Sequence, residues 1–374
     1  MAEPIFDGPA LASGEPFWLR PIGVFRGAGA RAAIATGDAL ALLGDGERGF
    51  MLVEIVARDA AAESGMAVRA ATLAEARRWA AARNVADRFE VQLDALTRAR
   101  PRWAGIDLDT PRIMGIVNVT PDSFSDGGAH RGTLGAIAHG KALLAAGADL
   151  LDIGGESVRP GAAPVDTAEE IRRVEPVIRG LADLGVLLSI DTRHAATMEA
   201  ALAAGARIIN DVTALIGDPA ALAVAARSAA PIVLMHMRGE PPTMQDTPEY
   251  ACAPLDVLEF LAGRVAACEA AGIPRSRIAV DPGIGFGKRL RHNLQLLARL
   301  SLLHLTGCPI LLGASRKSLI SSRLDPGIAP RDRLPSSLAA ALGALDQGVQ
   351  LLRVHDVAQT RQAVEVWRGI GGAG

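Results

Sequence analysis

No uninterrupted apolar run in this 374-residue chain approaches the ~18 residues that crossing a bilayer requires, so a membrane span is not expected. Neither sign of charge is in excess, since 39 basic against 41 acidic residues leave a net charge of −2. With no basic stripe, nucleic acid and anionic membrane surfaces are poor partners. Cysteine is scarce: Cys252, Cys268 and Cys308 are odd in number, far apart and without C-x-x-C spacing. That argues against a disulfide framework or a zinc site and favours reduced, buried thiols in a cytoplasm. The first twenty residues contain acids and no long apolar core, so a secretory signal is not expected. No Ser-His-Asp or Cys-His set stands out. What the chain has is apolar residues, 49% of the total, enough for a large core.

The most informative stretch is Ile278-Ala-Val-Asp-Pro-Gly-Ile-Gly-Phe-Gly-Lys288. Ile278 to Val280 reads as a buried strand that delivers Asp281 at its end, where Pro282 stops the ladder. The glycines that follow permit a tight turn and close approach to a ligand. A P-loop would need glycine in place of Pro282 and Ser or Thr in place of Arg289, and the G-x-G-x-G spacing is not the dinucleotide pattern. What remains is an acid at a strand end beside a loop carrying one aromatic and one lysine. The acid can accept two parallel N–H donors from a flat heterocycle, or it can cap the next turn. This stretch alone leaves both open.

Residues 1–105 read as a small α+β appendage, with strands near Phe17-Trp-Leu and Phe50–Ala57 and a capping box, Thr72-Leu-Ala-Glu75, opening an Ala-rich helix. Packing or oligomerisation is its expected role, and Arg98–Arg102 looks like a linker. From 106 to 374 a rhythm sets in. Eight apolar runs recur: Ile113–Val119, Leu150–Ile153, Val186–Ile190, Arg207–Ile209, Pro231–Met235, Ile278–Val280, Pro309–Leu312 and Gln350–Val354. Helical stretches separate them, among them Thr167–Leu184, opened by the box Thr167-Ala-Glu-Glu170, and Asn293–His304. Continuous apolar runs suit parallel strands covered on both faces. Eight alternations predict an α/β fold of the (β/α)8 TIM-barrel kind, with an open doubly wound sheet as the alternative.

Seven of the eight runs stop at or just before a side chain able to bind something: Asn118, Asp191, Asn210, His236, Asp281, the Ser315-Arg316-Lys317 group, and Arg353 with His355. In a barrel such ends converge on one face, where active sites lie. Strand alternation sorts them. Arg353 and His355 share a face and suit an anion with several oxygens, although Arg353 could instead pair with Asp356. Ser189 and Asp191 also share a face, whereas Asp211 points away from Asn210. If Met235 lines the mouth, His236 faces the helices as a structural histidine. Lys317 falls where barrels bind phosphate, or else is a surface lysine. Asn118, a neutral oxygen ligand, fits Mg2+ bridging a diphosphate, or forms a turn. Together these imply displacement of a diphosphate with no protein nucleophile.

At these residues the chain resembles the dihydropteroate synthases, folate-pathway enzymes inhibited by sulfonamides. The matching stretches run in order from Ile113-Met-Gly-Ile-Val-Asn-Val-Thr-Pro-Asp-Ser-Phe-Ser-Asp-Gly-Gly128 and Asp152-Ile-Gly-Gly-Glu-Ser-Val-Arg-Pro-Gly161 through Ser189-Ile-Asp-Thr192, Ile209-Asn-Asp211 and Leu234-Met-His-Met237. They continue through Asp281–Lys288, Gly313-Ala-Ser-Arg-Lys317 and Arg353-Val-His-Asp-Val357. The resemblance implies a barrel that joins p-aminobenzoate to the methylene of a 6-hydroxymethyl-dihydropterin diphosphate. By that resemblance Asp281, Asn210 and Asp191 hold the pterin, with Lys317 on its carbonyl edge and Met235 on its face. Asn118 (through Mg2+), Val158, Arg353 and His355 meet the diphosphate. Phe124, Arg159, Pro160, Phe286 and Ser318 form the p-aminobenzoate pocket. The residues expected to carry the chemistry are Lys317, Arg353 and Asp281.

One departure stands out: the family usually has Thr where this chain has Val158, which cannot hydrogen-bond a diphosphate. A cytoplasmic homodimer formed through barrel helices is the expected assembly, which the appendage could alter. The alternatives are a non-catalytic pterin-binding paralogue and a pterin-dependent methyltransferase. The latter has no need of the Ser315-Arg316-Lys317 group together with Arg353 and His355.

Overall fold

Alternation along the first strands sends successive side chains to two different cores. In the computed structural model, which describes residues 15–100, 102–119, 128–156, 165–239, 243–317 and 327–372 (backbone alone for 128–131), the chain opens with β1 (Phe17–Ile22), β2 (Phe25–Arg26), α1 (Ala28–Thr36), β3 (Leu40–Ala41) and β4 (Arg48–Phe50). There follow β5 (Leu52–Arg58), β6 (Met66–Thr72), α2 (Leu73–Ala82) and α3 (Ala86–Thr97). The antiparallel sheet β1-β5-β6 buries Phe17, Leu19, Val53 and Ile55 against Trp79 of α2 and Phe89 of α3. Its other face carries Trp18 and Val56 into the barrel's outer core. The Thr72–Glu75 capping box forms as expected, Thr72 Oγ1 accepting from Glu75 N and the Glu75 carboxylate from Thr72 N.

Eight parallel strands then close into a TIM barrel: β7 (Arg112–Asn118), β8 (Leu150–Gly154), β9 (Leu187–Asp191), β10 (Ile208–Asp211), β11 (Ile232–Met235), β12 (Ile278–Asp281), β13 (Leu311–Leu312) and β14 (Leu351–Val354). Sequential pairing runs from β7 to β12, β14 bridges β7 and β13, and a single parallel bridge from Val280 to Ile310 completes the ring. The helices around it are α4 (Gly128–Ala145), α5 (Thr167–Ala182), α6 (Ala195–Ala204), α7 (Ala221–Arg227), α8 (Ala253–Ala270), α9 (Leu290–Leu297), α10 (Leu334–Asp346) and α11 (Val357–Gly372). Outward residues such as Ile113, Leu151, Ile209 and Val280 pack under these helices. Inward residues form a separate apolar layer near the strand starts, including Met114, Leu150, Ile208, Val233 and Leu351, over which Trp103 lies fully buried.

Two sequence expectations need correction. Asp166, not Thr167, caps α5, its carboxylate accepting from Ala168 N, and Glu170 turns inward to His194 Nδ1 (2.8 Å) and Thr197 Oγ1 (2.7 Å). The helix expected over Asn293–His304 is instead α9 followed by a 3-10 stretch, Leu300–Thr306. Within the stretch read as a linker, Arg100 donates to the carbonyls of Ala95 and His304, and just beyond it the Trp103 indole donates to Arg277 O at 3.1 Å. The three cysteines are unpaired and buried, as expected. Among the described residues no helix is long and apolar enough to cross a membrane.

Candidate active site

Two residues beyond the apolar layer, the inward positions change character. Leu150 gives way to Asp152, Leu187 to Ser189, Ile208 to Asn210, Ala279 to Asp281, and Leu351 to Arg353. This polar layer is the floor of a mouth at the C-terminal ends of the strands. Arg353 lies across it, Nε donating to Asp152 Oδ2 at 2.6 Å and Nη2 to Asp191 Oδ2 at 2.5 Å. Asn210 Nδ2 also donates to Asp152 Oδ2, at 3.1 Å. Met235 stands beside Asp281 in register and faces inward. A Cβ on Gly313 would stand 3.5 Å from Asp281 Oδ2 and 4.0 Å from Arg353 Cδ, so the two side chains approach the same point of the floor.

Burial sets the electrostatics of this floor. It pushes the Asp281 carboxyl up to about 6 against the opposing pull of the Gly283 N–H, Lys317 and Arg353. It pushes Asp191 up to about 7, opposed by Arg353 and reinforced by Asp152, Glu170 and Asp211. Arg353 is buried too, yet Asp152 and Asp191 outweigh that cost and hold it firmly charged. The ion pair expected as an alternative, Arg353 with Asp356, does not form. Arg316 takes Asp356 instead, Nε donating to Oδ2 at 2.9 Å and Nη2 to Oδ1. Arg316 has a left-handed backbone (φ 57°), which this pair and the Ser337 hydroxyl on its N–H hold in place.

The loop after β12 is anchored from beneath by Lys288. This lysine is fully buried, and its Nζ lies 2.9 Å from Gly283 O, 3.0 Å from Phe286 O, 3.2 Å from His236 O and 2.9 Å from His236 Nδ1. Burial drives its pKa well down. His236 does face the helices, its ring edge-on to Phe260, and burial together with Lys288 pushes it down to about 2, which leaves a neutral acceptor. Gly283 (φ 65°) passes so close to His236 O that a Cβ would sit 1.9 Å away, a contact no side chain tolerates. The anchored loop presents Phe286, and Lys317 Nζ stands 4.1 Å from its ring centroid.

His355 follows Arg353 on the same face. Ser315 Oγ accepts its backbone N–H at 3.2 Å and lies 3.1 Å from Nδ1. With the hydroxyl proton turned to Nδ1, Nε2 carries the ring proton. Burial and the neighbouring Arg353 push this histidine down to about 3. Asn118 ends β7 beside Gly154, and its side chain makes no hydrogen bond among the described residues. Asp211 points outward, as expected, accepting from Thr213 N and Oγ1 and from Leu215 N.

The mouth therefore brings together Asn118, Asp191, Asn210, Met235, Asp281, Phe286, Lys317, Arg353 and His355. Phe124, Val158, Arg159, Pro160 and Ser318 lie outside the described residues. Sequence reasoning missed Asp152, an acid inside the apolar run Leu150–Ile153. Its position two residues before Gly154 puts it on the inward face, and that was the available signal. Among the described residues no cluster of three or more His, Cys, Asp or Glu could hold a metal.

Known proteins share this barrel and much of its sequence. The sequence profile of the family described as "Pterin binding enzyme" matches residues 114–355. The dihydropteroate synthase of Escherichia coli is 46% identical over 262 residues, covering 70% of this chain and 92% of that protein. That of Neisseria meningitidis serogroup B is 49% identical over 271 residues, covering 71% and 95%. The solved Xanthomonas albilineans dihydropteroate synthase with 4-aminobenzoic acid is 50% identical, covering 71% of this chain and 96% of that one, at a TM-score of 0.67. The same enzyme in complex with 7,8-dihydropteroate is 48% identical at a TM-score of 0.64, over 71% and 95%. This chain belongs to the pterin-binding enzyme family, in which it is a dihydropteroate synthase.

Proposed function

We propose that the mouth condenses p-aminobenzoate with (7,8-dihydropterin-6-yl)methyl diphosphate, forming 7,8-dihydropteroate and releasing diphosphate for folate synthesis. The observation that carries this reading is the approach of Asp281 and Arg353 to the same point of the floor beside Gly313, an acid for the ring and a cation for its charged tail. Asp281, Asp191 and Asn210 offer acceptors to the donor edge of the pterin, Met235 packs on its face, and Lys317 meets its carbonyl edge. Nη1 of Arg353 makes no hydrogen bond among the described residues, so it can turn to the diphosphate with Nε2 of His355. Phe286 forms one wall for p-aminobenzoate, with Phe124, Arg159, Pro160 and Ser318 as the rest of that pocket.

A lone amide such as Asn118 suits Mg2+ only as an ion carried in by phosphate oxygens and water, since Mg2+ is commonly held by few protein ligands beside substrate phosphates. Bound there, it would neutralise charge on the leaving group. The attacking aromatic amine is already neutral at pH 7, so no strong base is required. Lys317 and Arg353 act by charge on the carbonyl edge and on the departing diphosphate. Residues 1–105 form, in this reading, an appendage distinct from the barrel of 106–374. The expected setting is a cytoplasmic homodimer open to sulfonamides.

Purified protein mixed with Mg2+, pterin diphosphate and p-aminobenzoate should release diphosphate, and Asp281→Ala and Lys317→Ala should largely abolish release. A non-catalytic binder would show pterin-dependent thermal stabilisation without turnover. Val158→Thr should modestly tighten diphosphate binding, and equal binding constants would remove that idea.

A further inference from the structure

We infer that Asp152 is a positioning residue for pterin recognition: from beneath the site, its carboxylate fixes the orientations in which Arg353 and Asn210 meet the ligand. The inference rests on the reading of Asp191, Asn210 and Asp281 as pterin ligands. Asp152 is fully buried on the inward face of β8 and is set below the mouth. One oxygen, Oδ2, accepts both Arg353 Nε and Asn210 Nδ2.

A carboxylate can only accept, and this decides two orientations. The Asn210 amide must direct its NH2 downward, which turns its carbonyl oxygen toward the ligand. Without Asp152 the amide could flip and offer a donor where the pterin edge also has donors. The Arg353 guanidinium, held at Nε by Asp152 and at Nη2 by Asp191, keeps a fixed plane over the floor. Ser189 is the register neighbour of Asp152, and its buried hydroxyl makes no hydrogen bond among the described residues. Asp152 Oδ1 likewise has no partner there, so Oδ2 alone carries both contacts.

The charge of Asp152 also acts on Asp191. The charges acting on Asp191 are those of Arg353 from β14, Asp152 from β8, Glu170 from α5 and, from the outward side of β10, Asp211. Removing the Asp152 charge takes away a repulsion, so the pH midpoint of pterin binding should fall. A residue that merely filled space would not move that midpoint.

The test is titration calorimetry with 6-hydroxymethyl-7,8-dihydropterin, which needs no turnover, on wild type and Asp152→Asn across a pH series. The isosteric variant should bind at least about tenfold more weakly at pH 8, with its acid midpoint lower by about one unit. Affinity within twofold of wild type and an unmoved midpoint, in a folded variant, would overturn the inference. Should Asp152→Asn fail to fold, the Arg353 Nε–H resonance of wild type, assigned by its absence from Arg353→Lys, decides. It should exchange slowly with solvent and stay put when pterin binds, and an exchanging or displaced signal counts against Asp152. Diphosphate release by the unmodified protein is measured separately, so failure of the synthase reading would not be confused with failure of this one.

Discussion

Replacing Lys288 with methionine isolates what a buried cation does for the loop that carries Phe286. The side chains are similar in length, so packing is largely conserved, and what is lost is the donor group. Phe286 O, His236 O and His236 Nδ1 each depend on Nζ, whereas Gly283 O also accepts Phe286 N at 3.1 Å. Each acceptor stranded in a dry interior costs about 1–3 kcal/mol, so three would cost about 3–9 kcal/mol. Part of this is offset because methionine no longer has to be stripped of the water that an ammonium loses on burial. A net loss of about 3 kcal/mol is expected, equivalent to several degrees of Tm in a chain of this size. The functional consequence is local. With the Phe286 carbonyl released, the ring no longer holds its place against Lys317, and the KM for p-aminobenzoate should rise about tenfold, the equivalent of 1.4 kcal/mol. Pterin affinity should fall less, because Asp281 takes its backbone hydrogen bond from Gly283, which keeps one of its own carbonyl partners. Thermal unfolding and steady-state kinetics on the same preparation check both parts. A Tm and a p-aminobenzoate KM indistinguishable from wild type would refute the anchoring argument.

Loss of the Asp281 charge should be as specific: Asp281→Asn removes charge-assisted hydrogen bonds worth about 1.5–3 kcal/mol, so pterin Kd should rise roughly 10- to 150-fold by calorimetry, and a change under threefold would contradict the assignment. Because burial pushes Asp281 up to about 6 and Asp191 up to about 7, kcat/KM for the pterin diphosphate should fall as pH drops through that range. Stability runs the other way, since a carboxyl raised on folding binds its proton more tightly in the native state. Ligand-free wild type should therefore gain stability relative to Asp281→Asn as pH falls from about 7 to about 4, which a pH series of melting curves measures. Trp103→Ala, at the opposite end of the barrel, should cost about 3–5 kcal/mol in denaturant unfolding while sparing kcat, and a loss below about 1 kcal/mol would show that the indole is no part of the core.

The architecture was legible in the sequence because both faces of each barrel strand are covered, and eight continuous apolar runs follow directly from that. The mouth was legible for a related reason: Asp281, Asn210, Asp191 and His355 sit where an apolar run stops, and a stop is visible in one dimension. Asp152 stayed hidden because it interrupts nothing. It lies inside Leu150–Ile153, where Leu151 and Ile153 point to the helices and only alternation tells the acid apart from its neighbours. Partnerships were harder still. Asp356 is three residues from Arg353 and was the natural partner on paper, but residues three apart on an extended chain face opposite ways. Arg316, forty positions earlier, reaches Asp356 instead because the strand order sets β13 against β14. Lys288, read as a lysine on a ligand loop, has the same lesson in reverse. The carbonyls that the glycine turns expose draw it beneath the loop, and Lys317 takes the place over Phe286. Charge needs a partner wherever water is excluded, and closure of the barrel decides which partners are near. A floor with one arginine spanning two acids is therefore intelligible only once β8, β9 and β14 are known to face one another.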